Sequence, residues 1–236
     1  MIDLGAQRLL VLAPHPDDEV IGCGGLISKL KEHGGEVHVQ MITVGDTTDA
    51  SPQGYSSSDE RDAEVARVAE LLAWDAYEIV FRGNIHHLQL DAQPQIAMIE
   101  AVETSGSCSI RAVRPTIVAI PAPSSYNQDH RAVASAALSA LRPGDQGLRY
   151  QPPGVVVYEQ VADQWNVGWN FTPTLAVELE ERHLEAKIAA MRAYKSQIRQ
   201  HPSTRSPEAL TAMAHYRGAQ FGCERAEAYQ VLRWKL

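Results

Sequence analysis

His15, Asp17, Asp18 and Glu19 stand together in Pro14-His15-Pro16-Asp17-Asp18-Glu19, directly after the apolar run Leu9-Leu10-Val11-Leu12-Ala13. Three consecutive acids beside an imidazole repel one another unless a cation or a proton relay compensates them. On a tight turn, residues three apart can converge on one ion while the residue between them points elsewhere. His15 and Asp18 therefore form half of a candidate metal site, with a carboxylate to spare. Catalytic zinc keeps an open position for water beside its protein ligands, and a third ligand has to come from another loop. The best-placed candidate is His130, in Ser125-Tyr126-Asn127-Gln128-Asp129-His130-Arg131. That polar turn follows an apolar strand and precedes a helix, as the first turn does. His86-His87 makes a poorer metal pair, because adjacent strand residues point to opposite faces.

The elements that must hold these turns are visible as alternating patterns. Apolar, β-branched runs at residues 8–13, 37–44, 77–81 and 116–120 predict strands. Helical spacing falls at 24–33, after Gly22, Gly24 and Gly25, and at 58–73, 94–104 and 129–141. Such alternation predicts an α/β fold, a Rossmann-like and mostly parallel sheet with helices on both faces. Ligands of such sheets bind at the strand ends. Residues 45–57 and 142–153 have loop composition. Strands are expected at 155–158 and 175–179, and helices at 180–199 and 208–220. With no repeat or boundary, residues 1–236 form one domain, a core of 1–150 completed by 151–236.

Composition narrows the function. Of 236 residues, 44% are hydrophobic and 21% charged, an ordinary globular balance. A formal charge of −8 with scattered Lys and Arg argues against nucleic acid as a partner. Cys23, Cys108 and Cys223 form no C-x-x-C pair and fit small buried hydrophobes in a reducing compartment. Cys23 is close enough to the acidic turn to be a candidate for lining the site. No signal pattern appears and no apolar run approaches the ~20 residues of a membrane span. A cytoplasmic location is the expectation.

Both turns resemble the signature turns of the PIG-L/LmbE-like zinc-dependent N-deacetylases, the first in Pro14–Glu19 and the second in Asp129-His130-Arg131. The resemblance continues through Glu60-Arg61-x-x-Glu64, Leu90-Asp91, Lys187, Tyr194-x-Ser196-Gln197, Arg217-Gly218, Gly222 and Ala226-Glu227, the last of these in the family's C-terminal helices. His201-Pro202 and Arg205-Ser206 are closer to the bacterial sugar-deacetylase branch.

This resemblance implies one Zn²⁺ per chain held by His15, Asp18 and His130, which activates water against an acetamide. Asp17 is then the general base and Glu19 a support for the turn. Arg61 and Asp91 fall at positions that contact sugar hydroxyls in the family, and His201 on a segment that can supply a proton donor. Many relatives carry a histidine three residues before the last ligand, where this chain has Asn127. Asn127 can donate to an oxyanion but cannot act as a general acid. Amine protonation falls to Asp17 or His201, and Tyr126 either assists the oxyanion or packs with its tip bonded to backbone. Trp165 and Trp169 fit either a sugar-stacking loop or a subunit contact.

The activity implied is removal of the N-acetyl group from a GlcNAc-type sugar or sugar conjugate, a small-molecule substrate. The alternatives are a zinc amidohydrolase acting on a non-sugar acyl amide and a catalytically silent sugar-binding module. A homo-oligomer is a further expectation, since members of the family often assemble.

Overall fold

The computed structural model describes residues 2–49, 53–145 and 147–235. Strand β1 (Arg8–Ala13) turns sharply into helix α1 (Asp18–Glu32), and β2 (Glu36–Val44) follows. A small hairpin, β3 (Thr47–Thr48) and β4 (Tyr55–Ser56), precedes α2 (Ser58–Leu71) and β5 (Ala76–Arg82). Next come α3 (Gln95–Glu103), α4 (Ile110–Val113), β6 (Ile117–Pro121) and α5 (Gln128–Ala140). The chain ends with β7 (Gly154–Tyr158), β8 (Leu175–Glu178), α6 (Glu181–Ala193), α7 (Pro207–Phe221) and β9 (Ala226–Trp234).

Seven strands form one sheet in the order β5-β2-β1-β6-β7-β9-β8. The first five are parallel, while β9 runs antiparallel to both β7 and β8. The expected mostly parallel α/β sheet is therefore present, in a single domain. β1 shows why it forms. Leu9, Val11 and Ala13 pack with Val20, Ile27, Val65 and Met191 on one face. Leu10 and Leu12 pack with Met98, Val133 and Ala137 on the other. A strand buried on both faces needs a continuous apolar run, which β1 has. The strand order reverses between β1 and β6, and in sheets of this kind the crevice for ligands opens at that point.

Three expectations are corrected. Helix α1 begins at Asp18, not at residue 24, because its glycines pack rather than loosen the chain. A Cβ on Gly22 would fall 2.3 Å from the Tyr158 ring, and one on Gly25 2.5 Å from Leu179. The helix expected over 180–199 stops at Ala193. Ala226-Glu227 opens a strand, because Gly222 at φ 77° ends α7 and turns the chain back.

That last strand is stitched into α1. Glu227 accepts from the Gly25 and Leu26 amides at 2.8 and 2.7 Å. Lys187 bonds both Glu227, at 2.6 Å, and the Ile21 carbonyl, at 2.7 Å. Tyr229 donates to Glu227 and lies 3.2 Å from the Gly22 carbonyl. Among the described residues, no helix is long and apolar enough to cross a membrane.

Candidate metal centre and its cavity

The turns after β1 and β6 meet because those strands are neighbours. Asp17 sits between β1 and α1 at φ 108°, a conformation that bulky L-residues avoid and that functional turns often retain. This backbone bend lets Asp18 open the helix with its carboxylate folded back, where Oδ2 accepts from the His15 amide at 2.8 Å. An acid also suits the positive end of a helix. Glu19 is fully buried, accepts from Tyr194 at 2.6 Å and lies 3.3 Å from the Asp17 amide. At the second turn Asn127 caps α5, its side-chain oxygen accepting from the Asp129 amide at 2.9 Å. His130 is thereby held in the first turn of α5.

Two imidazoles converge on one carboxylate oxygen. Asp18 Oδ2 lies 3.4 Å from His15 Nδ1 and 3.3 Å from His130 Nε2. The donor atoms of His15, Asp18 and His130 all lie within 4.8 Å of one another, and all three residues are buried. A tetrahedral centre with bonds of about 2.0–2.2 Å spaces its ligands roughly 3.3–3.5 Å apart, and this donor set fits one. Outer partners orient the set. His15 Nε2 is 2.9 Å from Asp129 Oδ2, leaving Nδ1 for the centre. Asp129 in turn accepts from the Leu90 amide at 3.0 Å, and Asp18 Oδ1 accepts from Gln160 at 2.5 Å. The buried His130 Nδ1 has no hydrogen-bond partner among the described residues.

The electrostatics separate the three acids. Burial alone would raise Asp18, but His130 and His15 hold it well below the usual carboxylate range. Burial lifts Asp17 to about 6 against the pull of Arg205, with the Asp18 charge adding to the rise. Burial also lifts Glu19 to about 8, although Tyr194 opposes it. His15 reaches about 9: burial opposes its charge, but bonds to Asp129 and Asp18 outweigh it. Asp17 Oδ2 is buried without a hydrogen bond, 3.7 Å from Arg205 Nε.

His15, Asp17, Asp18 and His130 line a cavity of about 210 Å³, together with Arg61, His87, Tyr126, Asn127, Gln160, Arg199 and Arg205. Of the residues expected from sequence, His15, Asp17, Asp18, His130, Arg61, Tyr126 and Asn127 are brought together. Asp91 and His201 are not: both are exposed and neither lines the cavity. In the Leu90–Ala92 turn it is Leu90, through its amide, that reaches the site. Trp165 is 86% exposed and lies outside the cavity, while Trp169 stacks on Phe171 at 5.6 Å. Cys23 is fully buried in the core. His87 enters the cavity beside Arg61, its Nε2 2.9 Å from Arg61 Nη1, while His86 packs on Phe81.

Asp129, Gln160 and Arg199 were given no role from sequence; His87 was weighed only as a metal ligand, and Arg205 only as part of a motif. Asp129 had a signal, an acid directly before a candidate ligand. Gln160 and Arg199 are joined to the site only by the fold. A larger cavity of about 690 Å³ lies at the opposite ends of the strands, lined by Glu103, Arg111, Arg114, Arg149, Tyr150 and Lys235 among others.

The family model described as PIG-L, GlcNAc-PI de-N-acetylase, matches residues 10–141, more than half of the chain. Diacetylchitobiose deacetylase of Thermococcus kodakarensis is 28% identical over 241 residues, covering 96% of this chain and 83% of its own. A conserved protein of Thermus thermophilus superposes with a TM-score of 0.72 at 26% identity, over 98% of this chain and 96% of its own. The 4-carboxy-2-hydroxymuconate hydratase of Pseudomonas putida KT2440 superposes with a TM-score of 0.71 at 20% identity, over 98% of each chain. The last likeness is one of fold, and a shared fold does not carry a shared reaction.

Proposed function

From the premise that this chain belongs to the PIG-L, GlcNAc-PI de-N-acetylase family, we propose that it removes the N-acetyl group from a GlcNAc-type sugar or sugar conjugate, with zinc held by His15, Asp18 and His130. The observation that carries this reading is the convergence of two imidazoles on Asp18, with the carboxylate of Asp17 in the same cavity and outside that donor set. The diacetylchitobiose deacetylase relative supports the substrate class.

Zinc held there would supply Lewis acidity, lowering the pKa of water towards ~7 and polarising the amide carbonyl. Asp17 takes the proton as the water oxygen bonds to the carbonyl carbon. Asn127 has its side-chain oxygen committed to the helix cap, so its NH₂ is the end that can donate to the developing oxyanion. Asp17 then returns its proton to the nitrogen as the C–N bond breaks, leaving acetate and a free amine. Asp129 and Gln160 hold His15 and Asp18, and Arg61 and Tyr126, which line the cavity, would contact the sugar.

The test is metal analysis joined to an acetate-release assay. Protein purified without added zinc should carry about one ion per chain and release acetate from an N-acetyl amino sugar panel. Zinc-replete protein that releases none from any of them overturns the reading. One observation favours a non-sugar acyl amide instead: neither Trp165 nor Trp169 lines the cavity as a stacking platform. Acylated amines without a sugar belong in the same panel, and preference for them selects that alternative.

A further inference from the structure

The turns after β1 and β6 are tied together by a residue that belongs to neither and does not line the cavity. Asp163, 1% exposed, lies in the short turn Val161–Gln164 beyond β7. Its Oδ2 accepts from the Gln160 amide at 3.2 Å. In return the Gln160 side-chain oxygen accepts from the Asp163 amide, whose hydrogen the Gln160 carbonyl shares at 3.1 Å. With that oxygen occupied, Gln160 can turn only its NH₂ towards Asp18, and it meets Asp18 Oδ1 at 2.5 Å. Asp18 Oδ2 is left as the oxygen that His15 and His130 approach.

The other oxygen of Asp163 reaches the second turn, 38 residues back along the chain, where it accepts from the hydroxyl of the fully buried Ser125. Ser125 Oγ in turn accepts from the Asn127 amide at 3.2 Å. A backbone amide can only donate, so a serine lone pair faces Asn127 and the serine hydrogen goes to Asp163. Asn127 caps α5, the helix that carries His130. One carboxylate thus closes a bonded path from Asp18 to Asn127, with every donor on it facing an acceptor. Capping its own turn uses only the bond to Gln160, and the bond to Ser125 adds nothing to that turn.

We propose that Asp163 is a positioning residue that holds the two turns in register. Through Gln160 it sets which oxygen of Asp18 faces the centre. Through Ser125 it keeps Asn127 where its NH₂ can meet the reacting carbonyl. This deepens the deacetylase reading and rests on it for the reaction, but not for the coupling of the turns.

Asp163→Asn tests it in the full chain, because the amide keeps the size but turns one acceptor into a donor, so one of the two bonds must fail. In the metal-free protein, hydrogen exchange at the Asn127 amide, which Asp163 does not touch, should quicken by about tenfold or more, the scale of one lost hydrogen bond. Metal affinity, read by chelator competition, should fall by about 10–100-fold. In the zinc-loaded protein, kcat on an N-acetyl amino sugar should fall by about tenfold or more. Ser125→Ala cuts one arm, and should lower kcat while leaving metal affinity unchanged. Gln160→Met cuts the other, and should lower metal affinity. Losses of kcat in Asp163→Asn and Ser125→Ala should not add in the double variant.

Unchanged exchange at Asn127 overturns the proposal, and so does unchanged metal affinity or unchanged kcat, even beside a lower Tm, since the acid would then serve stability alone. Additive losses overturn it too. Should Asp163→Asn fail to fold, Ser125→Ala decides: exchange at the Gln160 amide, across Asp163 from the serine, should quicken, and no change there overturns the proposal. If no sugar releases acetate, the deacetylase reading fails by itself, and exchange in the metal-free protein still decides whether Asp163 couples the turns.

Discussion

The two cavities at opposite ends of the sheet differ in a way that volume does not capture. The larger, about 690 Å³, is lined by one acid, Glu103, and by Arg111, Arg114, Arg149 and Lys235, with no cluster of metal-binding donors among the described residues. Arg149 lies 3.4 Å from Glu103, which also meets Arg142 at 3.2 Å, and Arg114 covers the Tyr150 ring at 4.5 Å. The smaller, about 210 Å³, contains two imidazoles and a carboxylate aimed at one point, and a buried acid, Asp17, that lacks a hydrogen bond at Oδ2 and faces Arg205. What sets the smaller cavity apart is convergence: donors held rigidly by neighbours and aimed at one point are available to a ligand. The parallel strands explain the asymmetry, since the turns from β1 and β6 are adjacent at their carboxyl ends.

Breaking the small cavity should matter in proportion to how directly each group faces the centre. His15→Ala should take acetate release to background and remove bound metal, measured by metal analysis beside the assay. Asp17→Asn should keep the metal and lower kcat by about 10²–10⁴-fold; full activity in that variant rules Asp17 out as the base. Asp129→Asn loosens His15 without removing a ligand, and metal affinity or activity should fall by roughly 10–100-fold. Chelator competition measures it. Arg61→Ala should raise KM for the sugar more than for a minimal acetamide, and equal effects would argue against direct recognition. At the far end of the sheet, Arg111→Ala should leave kcat/KM unchanged. A loss there would erase the distinction between the two cavities.

How much of this was legible in the sequence depends on whether the signal was local. β1 spans residues 8–13 as expected, because a strand buried on both faces needs an unbroken apolar run. The three residues of the candidate metal site were legible for a related reason: each lies in or just beyond a polar turn that follows such a run. Helix α1 starts earlier than its pattern predicts because glycines in a sequence read as turn residues, and only Tyr158 and Leu179 show why these are small. The 45–57 loop holds a hairpin of two-residue strands, too short for any periodicity to reveal, and residues 50–52 lie outside the described ones. Asp91 shows the limit of positional resemblance, since the residue beside it makes the contact through its backbone, which a side-chain pattern cannot register. Gln160 and Arg205 lie 142 and 188 residues beyond the acids they approach (160−18 and 205−17), and no window along the chain joins them.

The stitching of α1 by Glu227 has a consequence for the order of assembly. The helix that presents Asp18 has its middle turn braced by residues 187, 227 and 229, and the Gly25–Glu227 bond spans 202 positions. On a ribosome, the first functional turn to be made therefore waits for almost the last strand before its helix can be anchored. Until β9 has emerged and paired, α1 can pack its apolar face on β1 but lacks the hydrogen bonds that Glu227 and Tyr229 supply. A fragment that stops short of Glu227 lacks the carboxylate that binds the Gly25 and Leu26 amides, and with it the long-range anchor of the helix that presents Asp18.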